Sequence, residues 1–410
     1  MPSFAYTIRD ATGALRDGTS DGEDQNAVAR KLQDSGYTVV SLVPAKTVKV
    51  RSAGSGFGSV KLSDLSIFCR QFSTMIDAGV SLVRCLSVLA QQTVNPKLRR
   101  IIVEVEGEVQ SGSTLSKALS KYPNVFSNLF VGLVRAGEVG GALEESLQRL
   151  SGFLEKDLEL RRKVKGAMTY PMLVLCFALM IVILLVTFIL PRFMQLFLDM
   201  GMKESDMPWM TAELMAFSHF LTSKWYIMIP LVVLTYLAFK FFVKTKVGSR
   251  MFDMFKLKAP VFGVLNHKIC LARFSRTLAT LLTSGVPILQ ALETVAGTVS
   301  NEIISDAVLE ARARIREGDR IGEPLQKSKM FPPMVVQMIS IGEESGSLDQ
   351  MLTKVAEFYE SEVDAQLQSL TSALEPIMIV MLGGAVGFIV IAMFLPIIAI
   401  INNLQQDNGN

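Results

Sequence analysis

The sequence predicts a mainly α-helical membrane protein: two homologous cytoplasmic six-helix bundles, three transmembrane helices and a small N-terminal α/β module. Three observations predict it. Between Pro171 and Pro191 the positions 172–190 carry no charge, and a helix of that length, about 29 Å, spans a bilayer core. A second such run lies between Pro376 and Pro396, each proline standing 205 positions after its twin. The offset persists in polar sequence, where RAGEVGGAL (135–143) lies over SIGEESGSL (340–348), pairing Gly137 with Gly342, Glu138 with Glu343, Gly141 with Gly346 and Leu143 with Leu348. Farther back it becomes 206, because the connection before Phe126 is one residue longer than that before Phe331; there RQFSTMIDAGVSL (70–82) aligns with RTLATLLTSGVPI (276–288). A register held over so long a stretch with one indel marks a duplication, which settles the architecture before any single element is read.

Taken in order, the chain opens on alternating Phe4, Tyr6 and Ile8, the pattern of a half-buried strand, then a turn at Asp10–Gly13, a short helix at Asp24–Ser35 ended by Gly36, and a β-rich run at Tyr37–Val43 closed by Pro44. No apolar stretch between Met1 and Lys46 is long enough for a signal peptide. The glycines Gly54, Gly56 and Gly58 lack the strand and the GK[ST] of a phosphate loop, and read as a linker.

The first copy opens with Ser63 as N-cap and the stripe Leu65, Phe68, Phe72, Met75 and Ile76, stopped at Gly79. A second helix starts near Ser81, a third at Asn95-Pro96 and ends near Gly112, a fourth covers Thr114–Lys121 and a fifth Ser127–Ala136. The sixth begins near Ala142, carries Leu143, Leu147, Leu150, Leu154 and Leu158, and meets no stop before the first apolar run. Short connections place successive helices side by side, which makes each copy a bundle.

Arg161, Arg162, Lys163 and Lys165 precede the first span and only Arg192 closely follows it, so the span is expected to run outward, with the basic cluster as a cytoplasmic anchor. The return span begins at Trp225 and Tyr226, and Lys240 to Lys258 hold its inner side. Two equivalent bundles on one side of the membrane, each with an outgoing helix, require this one unpaired return. The second copy has Glu362, Asp364 and Glu375 where the first is basic, so charge alone does not orient the third span. The expected division is an α/β module at 1–45, a linker at 46–60, a first cytoplasmic bundle at 61–170, a span at 171–191, a periplasmic loop at 192–224, a second span at 225–243, a second cytoplasmic bundle at 244–375, a third span at 376–396 and a periplasmic tail at 397–410.

The duplicated GE-x-x-G elements, Gly137, Glu138 and Gly141 with Gly342, Glu343 and Gly346, have two readings. They are helix-helix turns whose glutamates complement the dipole of the sixth helix, or they are contact surfaces for a partner or a metal. An enzyme is disfavoured: His219 and His267 stand apart from any triad or ligand set, and Walker A is absent. The four cysteines share neither CxxC spacing nor positions between the copies. Neither catalytic residues, nor a cofactor, nor a metal site follows, and the net charge of +3 is too small to argue for nucleic acid. A transporter needs ionisable groups inside its spans, and the first and third spans hold none apart from Cys176. Gly383 to Gly387 has the spacing that permits close helix approach.

With the duplication in place, KVKGAMTYP (163–171), Ile189-Leu190-Pro191, both GE-x-x-G elements, FMQLF (193–197) and MPWMT (207–211) give the chain a resemblance to the inner-membrane platform proteins of type II secretion systems and type IV pili, the family that includes PilC and GspF. Glu375 departs from it, standing where the first copy has Tyr170. The resemblance implies a multi-pass protein of the bacterial inner membrane, N-terminus cytoplasmic and C-terminus periplasmic, that performs no catalysis. Its implied partners are a cytoplasmic hexameric assembly ATPase, and in some systems a retraction ATPase, pilin or pseudopilin, other inner-membrane assembly proteins and further copies of itself. A scaffold or receptor for another machine, and a transporter, are the alternatives.

Overall fold

The computed structural model describes residues 3–9, 15–21, 29, 38–44, 59–199 and 207–407. Two compact units are formed, one by Met1–Val60 with Val94–Arg100 and one by Lys61–Thr93 with Ile101–Asn410.

In the first unit β1 (Ser3–Arg9) is the centre of an antiparallel sheet between β2 (Leu15–Asp21) and β3 (Thr38–Pro44). Tyr6 pairs with Gly18 on one side and Leu42 on the other, with a bulge at Thr7/Ile8. The strand β2, LRDGTSD, was not anticipated: it has no apolar alternation, and as an edge strand it has a neighbour on only one side. The turn and helix expected at 10–13 and 24–35, like the linker glycines, lie outside the described residues, apart from Ala29 alone.

Each copy contributes six helices, which fall in the second unit apart from residues 96–100. In the first copy they are α1 (Leu62–Asp77), α2 (Leu82–Gln92), α3 (Pro96–Gln110), α4 (Leu115–Ser120), α5 (Asn128–Gly140) and α6 (Leu143–Leu184). Between the copies lie α7 (Leu190–Asp199), α8 (Trp209–Ser223), α9 (Trp225–Lys244) and α10 (Lys246–Lys258). The second copy is α11 (Phe262–Thr283), α12 (Ile288–Thr298), α13 (Glu302–Arg316), α14 (Gly322–Lys327), α15 (Pro333–Ser345) and α16 (Leu348–Asp407). Among the described residues three helical stretches are long and apolar enough to cross a membrane, within Leu143–Asp199, Tyr226–Lys244 and Leu348–Ala399. The chain is a mainly α membrane protein built on a repeat.

The duplication extends to side-chain contacts. Phe68 meets Phe126 at 6.2 Å between ring centroids, and their counterparts Phe274 and Phe331 meet at 4.8 Å. Buried Leu147, Leu150 and Leu154 of α6 complete the first core, as the leucine spacing foretold. The first helix starts earlier than expected: Lys61 occupies the N-cap, and its amide donates to the Asp64 carboxylate at 3.1 Å, leaving Ser63 in the first turn.

The prolines do not end the spans. Helix continues past Pro191 to Asp199 and past Pro396 to Asp407, and the stretch expected as a loop at 192–224 is largely helical where it is described. Just before Pro191 the helix widens into a π turn at Leu185–Ile189, in which the Leu190 amide reaches back five residues to the Leu185 carbonyl. In that register Pro191, lacking an N–H, leaves the Val186 carbonyl without its donor; Pro396 in ordinary α register does the same to Ala392. Both carbonyls are satisfied by α8. Ser218 Oγ donates to Val186 O at 2.6 Å, and Thr211 Oγ1 donates to Ala392 O at 2.6 Å. The two hydroxyls stand two helical turns apart on one buried face, so a single helix secures both spans at their proline ends. Val186, Leu190, Met194, Phe197, Leu214, Ile389 and Ala392 form the apolar cluster around them.

Candidate functional site

The duplicated GE-x-x-G elements close the fifth helix of each copy, and each residue in them has a separate structural task. The helix expected to stop at Ala136 runs on to Gly140, so Gly137 and Glu138 lie within its last turns, and the reversal occurs at Gly141, at φ +68°. Gly346 does the same for α15 at φ +69°. The Ala142 amide bonds the Gly137 carbonyl at 2.9 Å, and the Ser347 amide bonds Gly342 O at 2.9 Å, the backbone closure of a left-handed helix end. Gly137 and Gly342 serve close approach instead. A Cβ on Gly137 would fall 2.6 Å from Ser146 Oγ, and one on Gly342 would fall 2.8 Å from the Leu348 Cα.

The glutamates do something the sequence did not suggest. Glu138 and Glu343 were expected to complement the dipole of the sixth helix; instead they cap the fourth. The Glu138 carboxylate accepts from the Leu115 amide and, at 3.0 Å, from the Ser116 amide at the start of α4. Glu343 accepts from the Ile321 amide at 2.9 Å, one residue before α14. A carboxylate is the stronger acceptor for such orphan amides. The clue lay in the repeat itself, because Glu138 and Glu343 each stand 22 residues after an amide they reach, Ser116 and Ile321, across one intervening connection.

The basic cluster is divided by its surroundings. Arg161 pairs with Asp157 at 3.0 Å, and Lys163 reaches Glu159 at 3.1 Å and Asp364 at 2.6 Å. Hydrogen bonding to Asp364 and then to Glu159 pushes the Lys163 ammonium above its ordinary value, and the same Lys163 bond holds Glu159 below its own. Arg162 and Lys165 are exposed and make no ion pair among the described residues. Lys163 therefore joins the two copies, and Arg162 and Lys165 are the members left facing outward.

Around that contact lies a charged seam formed by α1, α6, α11 and α16. Arg70 pairs with Glu155 at 3.3 Å, and its counterpart Arg276 grips Glu360 through two bonds of 2.9 Å each. Asp157 of the first copy crosses to Arg273 of the second at 3.2 Å, and Lys268 meets Glu362 at 2.9 Å. Of the acidic residues that made the approach to the third span look anomalous, Glu362 and Asp364 are thus partners in this seam. Beneath it Leu160, Leu265, Val363, Leu367 and Leu370 pack together. A groove of about 470 Å³ opens beside it, lined by Arg149, Glu155, Lys156 and Glu159 of α6, Arg276 and Thr280 of α11, and Thr353 of α16.

This arrangement holds helices together and presents charge; it contains no assembled nucleophile. Burial pushes the Cys69 thiol up, and Cys270 up to about 11. His267 Nε2 lies 2.7 Å from the Met330 carbonyl. Among the described residues no three His, Cys, Asp or Glu side chains are grouped to hold a metal ion.

Comparison with known proteins places the pattern. The family described as type II secretion system (T2SS), protein F matches residues 68–191 and again 274–396, bounds separated by the same 206 and 205 positions as the internal repeat, and the N-terminal domain of type II secretion system protein F matches residues 1–43. The chain is 45% identical to a Type IV pilus assembly protein PilC of Thermus thermophilus, over 99% of this chain and 100% of the relative. It is 39% identical to a Type IV pilus assembly protein PilC of Myxococcus xanthus over 98% of this chain and 96% of the relative, and 32% identical to a Type II secretion system protein F of Vibrio cholerae over 99% and 100%.

Proposed function

The chain belongs to the type II secretion system protein F family, and from that membership we propose that it is the inner-membrane platform on which a cytoplasmic hexameric ATPase acts while pilin or pseudopilin subunits are inserted into or removed from a filament. It is a membrane protein and a non-enzymatic component of the pilus and secretion assembly machinery. Both bundles and the N-terminal module face the cytoplasm in this reading, and the C-terminus lies in the periplasm.

The observation that carries the reading is the continuity of the sixth helix in each copy. The helix α6 runs unbroken for 42 residues and α16 for 60, about 63 and 90 Å at the rise of an α-helix. Each starts in a bundle core and stays helical through a proline, Pro171 or Pro376, into an apolar span. A force applied to either bundle is therefore carried into the membrane, and the charged seam couples the two levers. The paired glycine-glutamate elements set the start of each lever, and the groove beside the seam offers charge to a partner.

The full chain, purified in mild detergent from its own cells, is expected to bring with it an assembly ATPase and pilin or pseudopilin, and to hydrolyse no ATP alone. Hydrolysis by the chain alone, or absence of both partners from the co-purified set, would overturn the reading.

A further inference from the structure

The helix α10 has no counterpart in the repeat, since positions 206 earlier belong to β3 and the linker, and neither bundle closure nor the spans account for it. Its two long faces differ sharply. One is fastened to the second bundle: buried Asp253 accepts from the Glu302 amide at 2.9 Å, and the Asp253 carbonyl accepts from Asn301 Nδ2 at 3.2 Å. The opposite face carries Val247, Met251, Met254 and Phe255 in a helical stripe, with Val247 68%, Met251 61% and Phe255 67% exposed. Four large apolar side chains in water on a helix fixed elsewhere require a cover.

The position of α10 identifies that cover. The span α9 ends at Lys244 and α10 starts at Lys246, and none of the apolar window of α9 is buried by protein. The corner between them is rigid. Thr245 Oγ1 donates to the Phe242 carbonyl at 2.7 Å and accepts from the Gly248 amide at 3.1 Å, and Phe239 of the span meets Phe252 of α10 edge-on at 5.6 Å. A Cβ at Gly248 would stand 2.0 Å from the Phe242 carbonyl oxygen, so only glycine permits this approach. The apolar stripe thereby begins, at Val247, within one helical turn of the end of the span at Lys244. The charged residues beside it, Lys244, Arg250 and Lys258, are all basic and exposed, and the acidic Asp253 is turned inward. Arg250 approaches Asp306 at 3.7 Å, at the surface.

We propose that α10 is an interfacial helix that seats the second bundle on the membrane, with Val247, Met251, Met254 and Phe255 inserted at the headgroup-acyl boundary and Arg250 and Lys258 bound to anionic lipid headgroups. An apolar stripe flanked by basic residues is the composition such helices require. This goes beyond the platform reading and is independent of any motor, because it concerns only the chain and lipid.

The test uses the full chain with Trp209 and Trp225 changed to Phe and a single reporter, Phe255→Trp, in vesicles of phosphatidylcholine with phosphatidylglycerol, with or without acyl bromine near the headgroup. The reporter is expected to emit to the blue and to lose most of its emission to the brominated lipid. Phe358→Trp, exposed on α16 and about 27 Å of helix before Pro376, is expected to be unaffected. Adding Arg250→Glu and Lys258→Glu should reduce the quenching of Phe255→Trp. A red, water-quenched reporter would overturn the proposal. So would a blue reporter that ignores brominated lipid and shifts red on dilution, which would mean that a second copy covers the stripe. Equal quenching in phosphatidylcholine alone, with no effect of the two charge reversals, would overturn the headgroup assignment.

Discussion

Gly342 and Gly346 stand four residues apart and are required for different reasons, which a single substitution at each separates. At Gly342 a Cβ would meet the Leu348 backbone at 2.8 Å, and backbone cannot swing aside; forcing α15 off α16 costs roughly 1–3 kcal/mol. At Gly346 a Cβ meets nothing within 4 Å, and the cost is that of a left-handed backbone at φ +69°, about 1–2 kcal/mol. Gly346→Asn, which tolerates that backbone, should therefore restore most of what Gly346→Ala loses, and Gly342→Asn should be worse than Gly342→Ala. Thermal unfolding of the four variants in detergent checks this; rescue by asparagine at position 342 would contradict it. The glutamates teach a related lesson. Because Glu138 and Glu343 cap the fourth helix, their reversal to Lys is expected to harm folding as well as any partner contact, and neither variant isolates a functional surface.

The helices legible in the sequence were those with a strong local signal: a stop at Gly79 or Gly112, proline after a cap at Asn95, leucines at helical spacing on α6. What stayed hidden depended on groups distant in sequence. The strand β2 needs its neighbour to be a strand at all. The continuation past Pro191 and Pro396 depends on Ser218 and Thr211 from another helix, and no local rule could have supplied those partners. The same dependence makes a double-variant cycle informative. Thr211→Val leaves the buried Ala392 carbonyl unsatisfied, a loss of about 1–3 kcal/mol. Pro396→Leu restores an amide that can reach that carbonyl within the helix. Combined with Thr211→Val it should cost much less than Thr211→Val alone, as read by unfolding in detergent; additive losses would mean that the threonine bond has another purpose.

Over the whole molecule the duplication explains why three spans serve two bundles, and ion pairing between and within the copies engages two of the acidic residues before the third span, Glu362 and Asp364. The duplication also fixes the expected topology. Single cysteines introduced at positions 203 and 410, in a background lacking Cys69, Cys85, Cys176 and Cys270, should react with an impermeant maleimide added outside the inner membrane, and one at position 350 should not. Labelling at 350 with protection at 410 would invert the arrangement. The central claim, that motion enters through the bundles and travels along continuous helices, rests on the stiffness of α6 where it leaves the seam. There Arg162, Lys165 and Thr169 are exposed on one face beside Gly166, so all three can be changed without disturbing the packed side of the helix. Glycine weakens an exposed helix by about 1 kcal/mol per site relative to alanine, and the triple glycine and triple alanine variants lose the same charges. The most direct measurement is the number of filaments per cell for these two variants at matched membrane levels: the triple alanine chain should assemble filaments and the triple glycine chain should assemble far fewer, whereas equal numbers from both would contradict transmission through the helix.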